Sequence, residues 1–359
     1  MSMGEHAGSY CVKVPKRFGE KTIKLLSKLN LLNKDLKILE LDDHLLIPLR
    51  EKPSSGILDE ISGYIDKIEV FFHKFPRRIK EPKTMLDILE DKLPPHLLGI
   101  LPRSIDFIGN VAIIEISEEL EPYKRLIGEA VLRVYKRVRS VLAKTSAVEG
   151  VYRVREYEVI AGSENTETVH KEHGCKYFLD PRKVYFSPRL SYEHYRVASQ
   201  VHDNEIILDM FAGVGPFSIL IAKMHNALVY SIDINPDAIE YLTRNIYANS
   251  VNGRVIPILG DARKIVQDRL RGVADRVIMN LPERAAEFID VACMALKPSG
   301  GIMHYYQFSK APYAVEKVRE GLINGVNEAG RSIETILTER IVKEIAPYKW
   351  QIAIDVKVR

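Results

Sequence analysis

The feature that most restricts the fold of this chain is a series of apolar strands that alternate with helices after residue 183. Helix-length segments separate five such strands, EIILDMF, ALVYSIDI, GRVIPILGD, ADRVIMNL and GGIMHYYQF. Strands that are apolar along their whole length are buried on both faces, and their alternation with helices is typical of a doubly wound parallel sheet. Two further strands, forming an antiparallel edge pair, are predicted in the tail TILTERIVKEIAPYKWQIAIDVKV. Residues 183–359 are therefore predicted to form an α/β, Rossmann-like domain with a mostly parallel sheet.

Two smaller α+β domains are predicted before it, because strands and helices mix there without regular alternation. The first, residues 1–52, combines a helix with a strand–turn–strand over ILELDDHLLIPLR. A linker containing one strand, KIEVFFH, is predicted over 53–75, since EKPSSG is rich in Pro, Ser and Gly. The second domain, 76–182, follows that linker.

Within this second domain, the pattern predicts a helix over 84–98, a strand over 105–116 and a long helix over 121–143. A strand over VYRVREYEVIAG comes next.

The composition excludes several classes of protein. The net charge of +4 is too small to indicate nucleic-acid binding by itself. The three cysteines, Cys11, Cys175 and Cys293, form no CxxC pair, so neither a disulfide nor a metal site is expected. With no apolar signal segment and no run of about 18 apolar residues, we expect a cytoplasmic protein without membrane contact. Nothing indicates an obligate protein partner, and a monomer is expected.

Acidic residues at three consecutive strand ends indicate a nucleotide-type site. Asp209 follows the first apolar strand and precedes a glycine loop, while Asp233 and Asp261 end the next two strands. Glycine lets the backbone approach a ligand, Asp233 suits a ribose diol, and Asp261 suits an adenine amino group. The alternative is that the glycines only make a tight turn. The candidate cofactor residues are Asp209, Phe211, Ala212, Gly213, Val214, Gly215, Asp233, Ile234, Asp261, Ala262 and Asn280.

The same loop argues against a dinucleotide and for S-adenosylmethionine. A dinucleotide fold requires G-x-G-x-x-G, but Ser218 stands where the third glycine would be. Asp209 would repel a phosphate, whereas it suits the ammonium group of a methionine.

The fourth strand ends in Asn280-Leu281-Pro282-Glu283, which looks like the Asn-Pro-Pro-type motif of methyltransferases that act on planar nitrogen. An ordinary loop asparagine is the alternative.

Two basic clusters, interleaved with Phe72, Phe75 and Tyr135, are candidate RNA-binding sites, although such runs are usually solvated surface. Their residues are Lys74, Arg77, Arg78, Lys80 and Lys83 in one, and Arg133, Lys136, Arg137 and Arg139 on the predicted long helix.

Together these stretches resemble the archaeal and eukaryotic tRNA (guanine-37-N1)-methyltransferases. The resemblance is carried by RVREYEVIAG (153–162), KVYFSPRLSYEH (183–194), DMFAGVGPFSI (209–219), SIDINPDAI (231–239) and NLPE (280–283). It covers the chain well from residue 151 onward, the middle domain loosely and the first domain only in kind. It implies a class I, S-adenosylmethionine-dependent enzyme whose first domain contacts the tRNA elbow while the other two act at the anticodon.

The resemblance also implies roles for individual residues. Guanine N1 carries a proton, so its methylation needs a base there and a positive partner at O6. By resemblance Glu193 is the base and Arg153 the O6 partner, although Arg155 lies on the same strand face and could serve instead. Glu193 could otherwise be an acid that only caps a helix. The residues implied to position the guanine or shape its pocket are Tyr185, Arg189, Asn280 and Pro282.

Two rival functions remain open. Enzymes of the wyosine pathway share this fold and either methylate the tricyclic base made from the same guanosine or transfer an aminocarboxypropyl group. The complete NLPE sequence and Glu193 argue against the transfer, but they do not exclude the second methylation. The other rival is a noncatalytic RNA-binding module, against which the intact acids and Asn280 argue.

Overall fold

The computed structural model describes residues 6–63, 68–78, 82–150 and 154–359. The chain divides into two compact units, Met1–Lys83 and Thr84–Arg359. Within the described ranges, no helix is both long and apolar enough to cross a membrane.

The first unit is an antiparallel sheet with two helices. Its elements are β1 (His6–Pro15), α1 (Gly19–Lys28), β2 (Leu39–Glu40), β3 (His44–Pro48), α2 (Ser55–Ser62) and β4 (Glu69–Pro76). The strand order among the described residues is β2-β3-β1-β4. The predicted strand–turn–strand is confirmed as β2 and β3, which pair antiparallel.

The region predicted as a linker, 53–75, differs from that prediction. It contains α2 and most of β4, and β4 pairs with β1 from Glu69 to Pro76. The Pro, Ser and Gly residues of EKPSSG lead into α2, whose N-cap is Ser54, and do not mark a domain boundary. The first unit therefore extends to Lys83 and not to residue 52.

The second unit begins with a smaller sheet of order β5-β6-β7-β8 in the described residues. Its elements are α3 (Leu86–Leu89), α4 (Pro95–Leu98), β5 (Asp106–Ile108), β6 (Val111–Ile114), α5 (Lys124–Val134), β7 (Ser140–Glu149) and β8 (Val154–Gly162). Three predictions are wrong in this region, and each has a local or tertiary cause.

The predicted helix over 84–98 is two short helices, because Pro94 and Pro95 interrupt it. The predicted strand over 105–116 is a hairpin that turns at Gly109, where φ is +56°. The predicted long helix over 121–143 starts as a 3-10 helix and ends at Val134, since residues 141–143 pair with β6 inside the sheet. Tertiary pairing there overrides the helical pattern.

A hairpin of β9 (Thr168–Glu172) and β10 (Cys175–Leu179) comes next, followed by α6 (Ser191–Ala198). The prediction placed this hairpin in the middle domain, yet it packs on the large domain. The side chain of Asn245 bonds both backbone groups of Phe178, and Asn249 does the same at Lys176. The large domain therefore includes residues that precede the predicted start at 183.

The large sheet confirms the predicted doubly wound α/β fold. Its elements are β11 (Ile206–Asp209), α7 (Pro216–Met224), β12 (Leu228–Asp233), α8 (Pro236–Ala248), β13 (Val255–Leu259), α9 (Ala262–Arg269), β14 (Arg276–Met279), α10 (Ile289–Ala295), β15 (Gly301–Lys310), α11 (Ala314–Glu328), β16 (Ile333–Ala346) and β17 (Lys349–Val358). Its order in the described residues is β13-β12-β11-β14-β15-β17-β16.

The strands from β13 to β15 in this order are parallel, and β17 pairs antiparallel with β15 and β16. The chain order reverses between β11 and β14, and ligands of open α/β sheets bind at such a point, beyond the carboxyl ends of the strands. The loops after β11, β12, β13 and β14 therefore meet at one edge.

Candidate active site

A cavity at the carboxyl edge of the large sheet collects most of the predicted cofactor residues. Of these, the ones that line it are Phe211, Ala212, Gly213, Val214, Asp233, Ile234, Asp261, Ala262 and Asn280. Tyr185 and Phe288 also line it. Because these residues come from four different strand ends, the cavity exists only once the parallel sheet has formed.

The two cavity-lining carboxylates also organise the loops around them. Asp233 accepts hydrogen bonds from the backbone N–H groups of Gly213 (2.7 Å) and Asn235 (2.9 Å). Asp261 caps α9 through the N–H of Lys264 at 3.1 Å. A carboxylate has about four acceptor positions. Each of these side chains therefore retains acceptor capacity for a ligand hydroxyl or amino group.

Asp209 does not line the cavity, which corrects the prediction that its carboxylate faces a methionine ammonium. It is fully buried, and Ser218 donates a hydrogen bond to its Oδ2 at 2.7 Å. Burial raises the pKa of Asp209 to about 7. Its Oδ1 has no hydrogen-bond partner among the described residues, so one acceptor atom directly behind the cavity wall is unsatisfied.

Gly215 is also outside the cavity lining, and packing explains why a glycine is required there. Its φ is +89°, and a Cβ at this position would lie 2.4 Å from Cδ1 of Leu242. Gly215 thus allows the start of α7 to pack closely on α8.

The residues present fit an adenosine-type cofactor. The cavity offers two carboxylates for hydroxyl and amino groups, with Phe211, Ile234 and Phe288 as apolar surface beside them. Asp209 directly precedes Met210, which lines the cavity, and its Oδ1 is one further acceptor atom without a partner among the described residues.

A second cleft lies on the other side of a shared wall. Tyr185, Phe186 and Ser187 line both the cavity and this cleft. The cleft has a volume of about 540 Å³, in the range of ligand-binding sites. Its ionisable lining residues are Asp106, Glu115, Lys144, Arg155, Tyr157, Tyr185, Arg189, Glu283, Lys343, Glu344 and Lys349.

The predicted arginines differ in their surroundings. Arg189 lines the cleft and donates hydrogen bonds to Asp106 (2.6 Å) and Ser104 (2.7 Å). Arg155 lines it too, and its Nε is buried without a hydrogen-bond partner in the described structure. Arg153 lies outside the described residues.

The NLPE segment connects the cavity to the cleft. Asn280 lines the cavity, and Glu283 lines the cleft. The Asn280 Oδ1 accepts a long hydrogen bond from Nε2 of Gln351 at 3.4 Å, which turns its amide N–H₂ away from Gln351. Pro282 is buried and lines neither space, and its carbonyl accepts from the Phe308 N–H at 2.8 Å. Pro282 therefore anchors the segment to β15.

Glu193 lies on α6, one turn after Arg189 and Leu190, which line the cleft and the cavity respectively. It lines neither space itself, because its side chain is 1% exposed. Its Oε2 accepts from Tyr306 Oη and from Arg196 Nε, both at 2.9 Å.

The other oxygen of Glu193, Oε1, is 2.9 Å from Nη1 of Arg340. The two groups form an ion pair whose angle is unsuitable for a hydrogen bond, so the lone pairs of Oε1 receive no directed donor. All these partners are side chains from other turns or strands, which does not support the alternative of a simple helix cap.

Sequence reasoning missed Arg196, Tyr306, Arg340 and Gln351. None belongs to a recognisable motif, and three of them come from β15, β16 and β17. Only the alternation of buried and exposed positions along those strands could have indicated that Tyr306 and Gln351 face inward.

The basic clusters are partly as predicted. Lys74, Arg77 and Arg78 are exposed at the end of β4, and Lys83 is exposed as well, while Lys80 lies outside the described residues. In the second cluster only Arg133 is helical; Lys136 and Arg137 lie in the turn after α5, which ends early for the reason given above. Phe75 is fully buried and Tyr135 packs on Phe107 at 4.9 Å. Phe75 is therefore unavailable for stacking on a base, whereas Phe72 and Tyr135 are both exposed although each contacts another ring.

Three family models match successive parts of the chain. They are the tRNA methyltransferase 5 N-terminal domain over residues 11–57, the TYW2 N-terminal domain over 85–166 and the TRM5/TYW2 methyltransferase domain over 168–334. The boundary at 167/168 agrees with the packing of the β9–β10 hairpin on the large domain.

Individual relatives extend over nearly the whole chain. The tRNA (guanine(37)-N(1))-methyltransferase Trm5b of Pyrococcus abyssi is 42% identical over 351 residues, covering 97% of this chain and 98% of the relative. A structure described as the complex of aTrm5 and tRNALeu has a TM-score of 0.82 at 36% identity, covering 97% and 99% of the two chains.

A third similar protein, the Pyrococcus horikoshii TYW2 solved in complex with MeSAdo, has a TM-score of 0.65 at 34% identity and covers 76% of this chain and 97% of that one. The sheet order, the strand-end acids and this near-complete similarity lead to one conclusion: the chain belongs to the TRM5/TYW2 methyltransferase family.

Proposed function

We propose that this protein transfers a methyl group from S-adenosylmethionine to N1 of guanosine 37 in tRNA, acting in the cytoplasm as a monomer. The observation that carries the proposal is the shared wall of Tyr185, Phe186 and Ser187. Two neighbouring spaces that share this wall, one with carboxylates for an adenosine and one of ligand-binding size, support the proposal. The similarity to Trm5b supports the choice of tRNA and of guanosine 37.

The residues that line the cavity are the ones that would bind the cofactor. The Asp233 carboxylate would accept from the ribose hydroxyls, and Asp261 would accept from the adenine amino group. The loop from Phe211 to Gly213 would pass beside the ligand. When bound, S-adenosylmethionine supplies an electrophilic methyl group.

The side chains that would bind the guanine line the cleft or the wall that it shares with the cavity. A guanine must leave its stack to reach the methyl group. Tyr185 and Arg189 would hold the base, and the N–H₂ of Asn280 would face it from the cavity side. Arg155, which lines the cleft and whose buried Nε has no partner among the described residues, or Arg153 would stabilise the charge that develops at O6.

Glu193 would remove the N1 proton. The N1 lone pair then bonds to the methyl carbon, the carbon–sulfur electron pair stays on sulfur, and the proton on Glu193 passes to solvent. For this transfer the carboxylate must reach beyond its present buried position, which is one helical turn from the wall of both spaces.

The first unit would bind the tRNA away from the anticodon. Residues 84–166 and the methyltransferase domain would act at the anticodon, with the basic residues around Arg133 near the RNA. Guanosine 37 is one residue in a large polyanion, so binding outside the active site is needed for affinity.

The direct test is mass spectrometry of nucleosides from a tRNA transcript incubated with the protein and S-adenosylmethionine. A transcript with guanosine 37 should yield 1-methylguanosine, and the same transcript with adenosine 37 should yield none. A methylated product only from tRNA that carries 4-demethylwyosine would establish the wyosine-pathway alternative instead. An aminocarboxypropyl adduct would establish the group transfer, and no product with any tRNA would favour the RNA-binding module.

Replacing both Arg77 and Arg78 by Glu should weaken tRNA binding and flatten its salt dependence. If both side chains contact phosphates, the slope of log Kd against log salt should fall by roughly 1.5–2, because fewer counterions are released. Filter binding across a salt series measures it.

The matched control is Lys24→Glu with Lys28→Glu, which makes the same charge change at two exposed positions of α1 in the same unit. If both double variants change the slope equally, the effect is one of net charge and the Arg77–Arg78 surface is not an RNA contact.

A further inference from the structure

Glu193 belongs to a network of buried charged side chains on the face of the large sheet that α6 covers. Arg196, one turn further along α6, donates to Glu193 at 2.9 Å and makes two hydrogen bonds to Asp355 of β17, one of them at 3.2 Å. Asp355 also lies 2.8 Å from Nδ1 of His304 on β15. Glu193 is thus linked through one guanidinium to a second carboxylate that is entirely buried.

The network continues along the same face of the sheet, where Arg276 of β14 also donates to the backbone carbonyl of Gln200, just after α6. Nη1 of Arg276 is 2.8 Å from Nε2 of His304, and Nε of Arg276 donates to Glu205 at 2.9 Å. Since a guanidinium only donates, Nε2 of His304 must accept and its Nδ1–H must donate to Asp355. Burial lowers the pKa of His304, in keeping with this neutral form.

The charge on Asp355 is similarly defined. Burial alone would raise the pKa of Asp355, but His304 and Arg196 together hold it well below its usual value. Asp355 is therefore an anion that faces Arg196, and Arg196 is shared between Asp355 and Glu193.

Stability does not explain such an arrangement. Moving ions out of water costs several kcal/mol each, and buried ion pairs are often no more stabilising than apolar residues of the same size. Glu193, Arg276, His304 and Asp355 are all at most 1% exposed. This network has a high desolvation cost, and it surrounds the residue that the proposed function requires as base. We therefore infer that it has a functional role.

We propose that Tyr306 and Asp355 are positioning residues that keep Glu193 oriented and able to accept a proton; this rests on the proposed function. Tyr306 donates to Oε2, and burial raises its pKa well above the usual value, so its hydroxyl remains a donor. Asp355 neutralises Arg196, which would otherwise have Glu193 as its main carboxylate partner. Tyr306 and Arg196 hold Oε2, so Oε1 is the atom that accepts the proton once its ion pair with Arg340 opens and the carboxylate reaches toward the cleft.

The groups that face Glu193 are Arg196 on α6, Tyr306 on β15 and Arg340 on β16, with Asp355 of β17 behind Arg196. Loss of Asp355 would leave two cations against one carboxylate. Glu193 would then hold its negative charge more strongly and be a weaker base.

The first test compares Tyr306→Phe with Tyr305→Phe. Both residues are fully buried neighbours on β15, but the Tyr305 hydroxyl bonds Gln307 at 2.7 Å and does not contact Glu193. Tyr306→Phe should lower the single-turnover rate of methyl transfer about 10- to 100-fold, as expected for loss of a hydrogen bond to a charged group. Affinities for cofactor and tRNA should stay unchanged, and Tyr305→Phe should keep the wild-type rate.

A double-mutant cycle shows whether Tyr306 acts through Glu193. In a Glu193→Gln background, Tyr306→Phe should cause little further loss of rate. A loss as large as in the wild-type background would overturn the proposal, as would a Tyr306→Phe protein with the wild-type rate.

The second test compares Asp355→Asn with Glu205→Gln, which alter two carboxylates of the same network, one bonded to Arg196 and the other to Arg276. Both should lower the melting temperature, but only Asp355→Asn should reduce the plateau rate and move the acid limb of the pH–rate profile to lower pH. Rate losses that simply follow the melting temperatures of both variants would show a structural role alone.

The rate is followed as S-adenosylhomocysteine formed, and the modified nucleoside is identified separately. If the wild-type protein methylates a nucleoside other than guanosine 37, the proposed function fails while the rate comparison still tests the network. If no methyl group is transferred at all, both proposals fail.

Discussion

Glu193→Gln is expected to lower the single-turnover rate of methyl transfer by about 10²–10⁴-fold, the usual contribution of a positioned general base. Glutamine keeps the size of the side chain and can still accept from Tyr306, but it cannot take the N1 proton. Affinities for tRNA and S-adenosylmethionine should change little, because Glu193 lines neither the cavity nor the cleft. The residual rate should rise with pH if hydroxide from solvent replaces the base.

The same substitution also has a structural cost, which must be measured separately. Glu193 is the buried partner of Arg196 and Arg340, and breaking a buried ion pair typically costs about 3–5 kcal/mol. Thermal melting therefore accompanies the rate measurement at a temperature where the variant is folded. A Glu193→Gln protein that melts early but methylates at the wild-type rate would leave Glu193 with a structural role only.

Asp233→Ala is expected to weaken S-adenosylmethionine binding by about 10- to 100-fold or more, measured by calorimetry. Each hydrogen bond to a charged group contributes about 1.5–3 kcal/mol, and a ribose diol offers two. Asp233 also holds the N–H groups of Gly213 and Asn235, so the loops that line the cavity lose their anchor. Asp233→Asn should have an intermediate effect, since its single carbonyl oxygen still accepts.

Asp237→Ala is the matched control. Asp237 is an acid four residues further along, in the first turn of α8, and its ion pair with Lys183 is long at 3.8 Å. It does not line the cavity, so its removal should leave the cofactor affinity unchanged. Equal affinities for the wild-type protein and Asp233→Ala would remove Asp233 from the cofactor site.

The parallel sheet and the location of the cavity at its carboxyl edge could both be predicted from the sequence. Apolar strands alternating with helices leave few ways to bury both faces, and the carboxyl ends of the resulting parallel strands meet at one edge. Asp233, Asp261 and Asn280 therefore come together because of the strand topology, and the pattern of strands and helices in the sequence is enough to predict that topology.

Local pattern failed where long-range packing decided the conformation. Residues 141–143 continue a helical pattern, but they form part of β7 because β6 and β8 offer hydrogen bonds on both sides. Likewise Asp209 ends a strand as Asp233 does, yet it is buried behind the cavity wall beside Ser218. A spacing of residues predicts which face a side chain occupies, but not what lies against that face.

The surroundings of Glu193 could not be predicted from the sequence, because they depend on contacts between distant parts of the chain. Its hydrogen-bond partner Tyr306 is 113 residues away, and Arg196 is 159 residues from Asp355. The motif around residues 183–194 identifies Glu193, whereas its charge partners come from strands that carry no motif. The ability of a carboxylate to accept a proton depends on burial and on neighbouring charges, and these exist only after β15, β16 and β17 have paired.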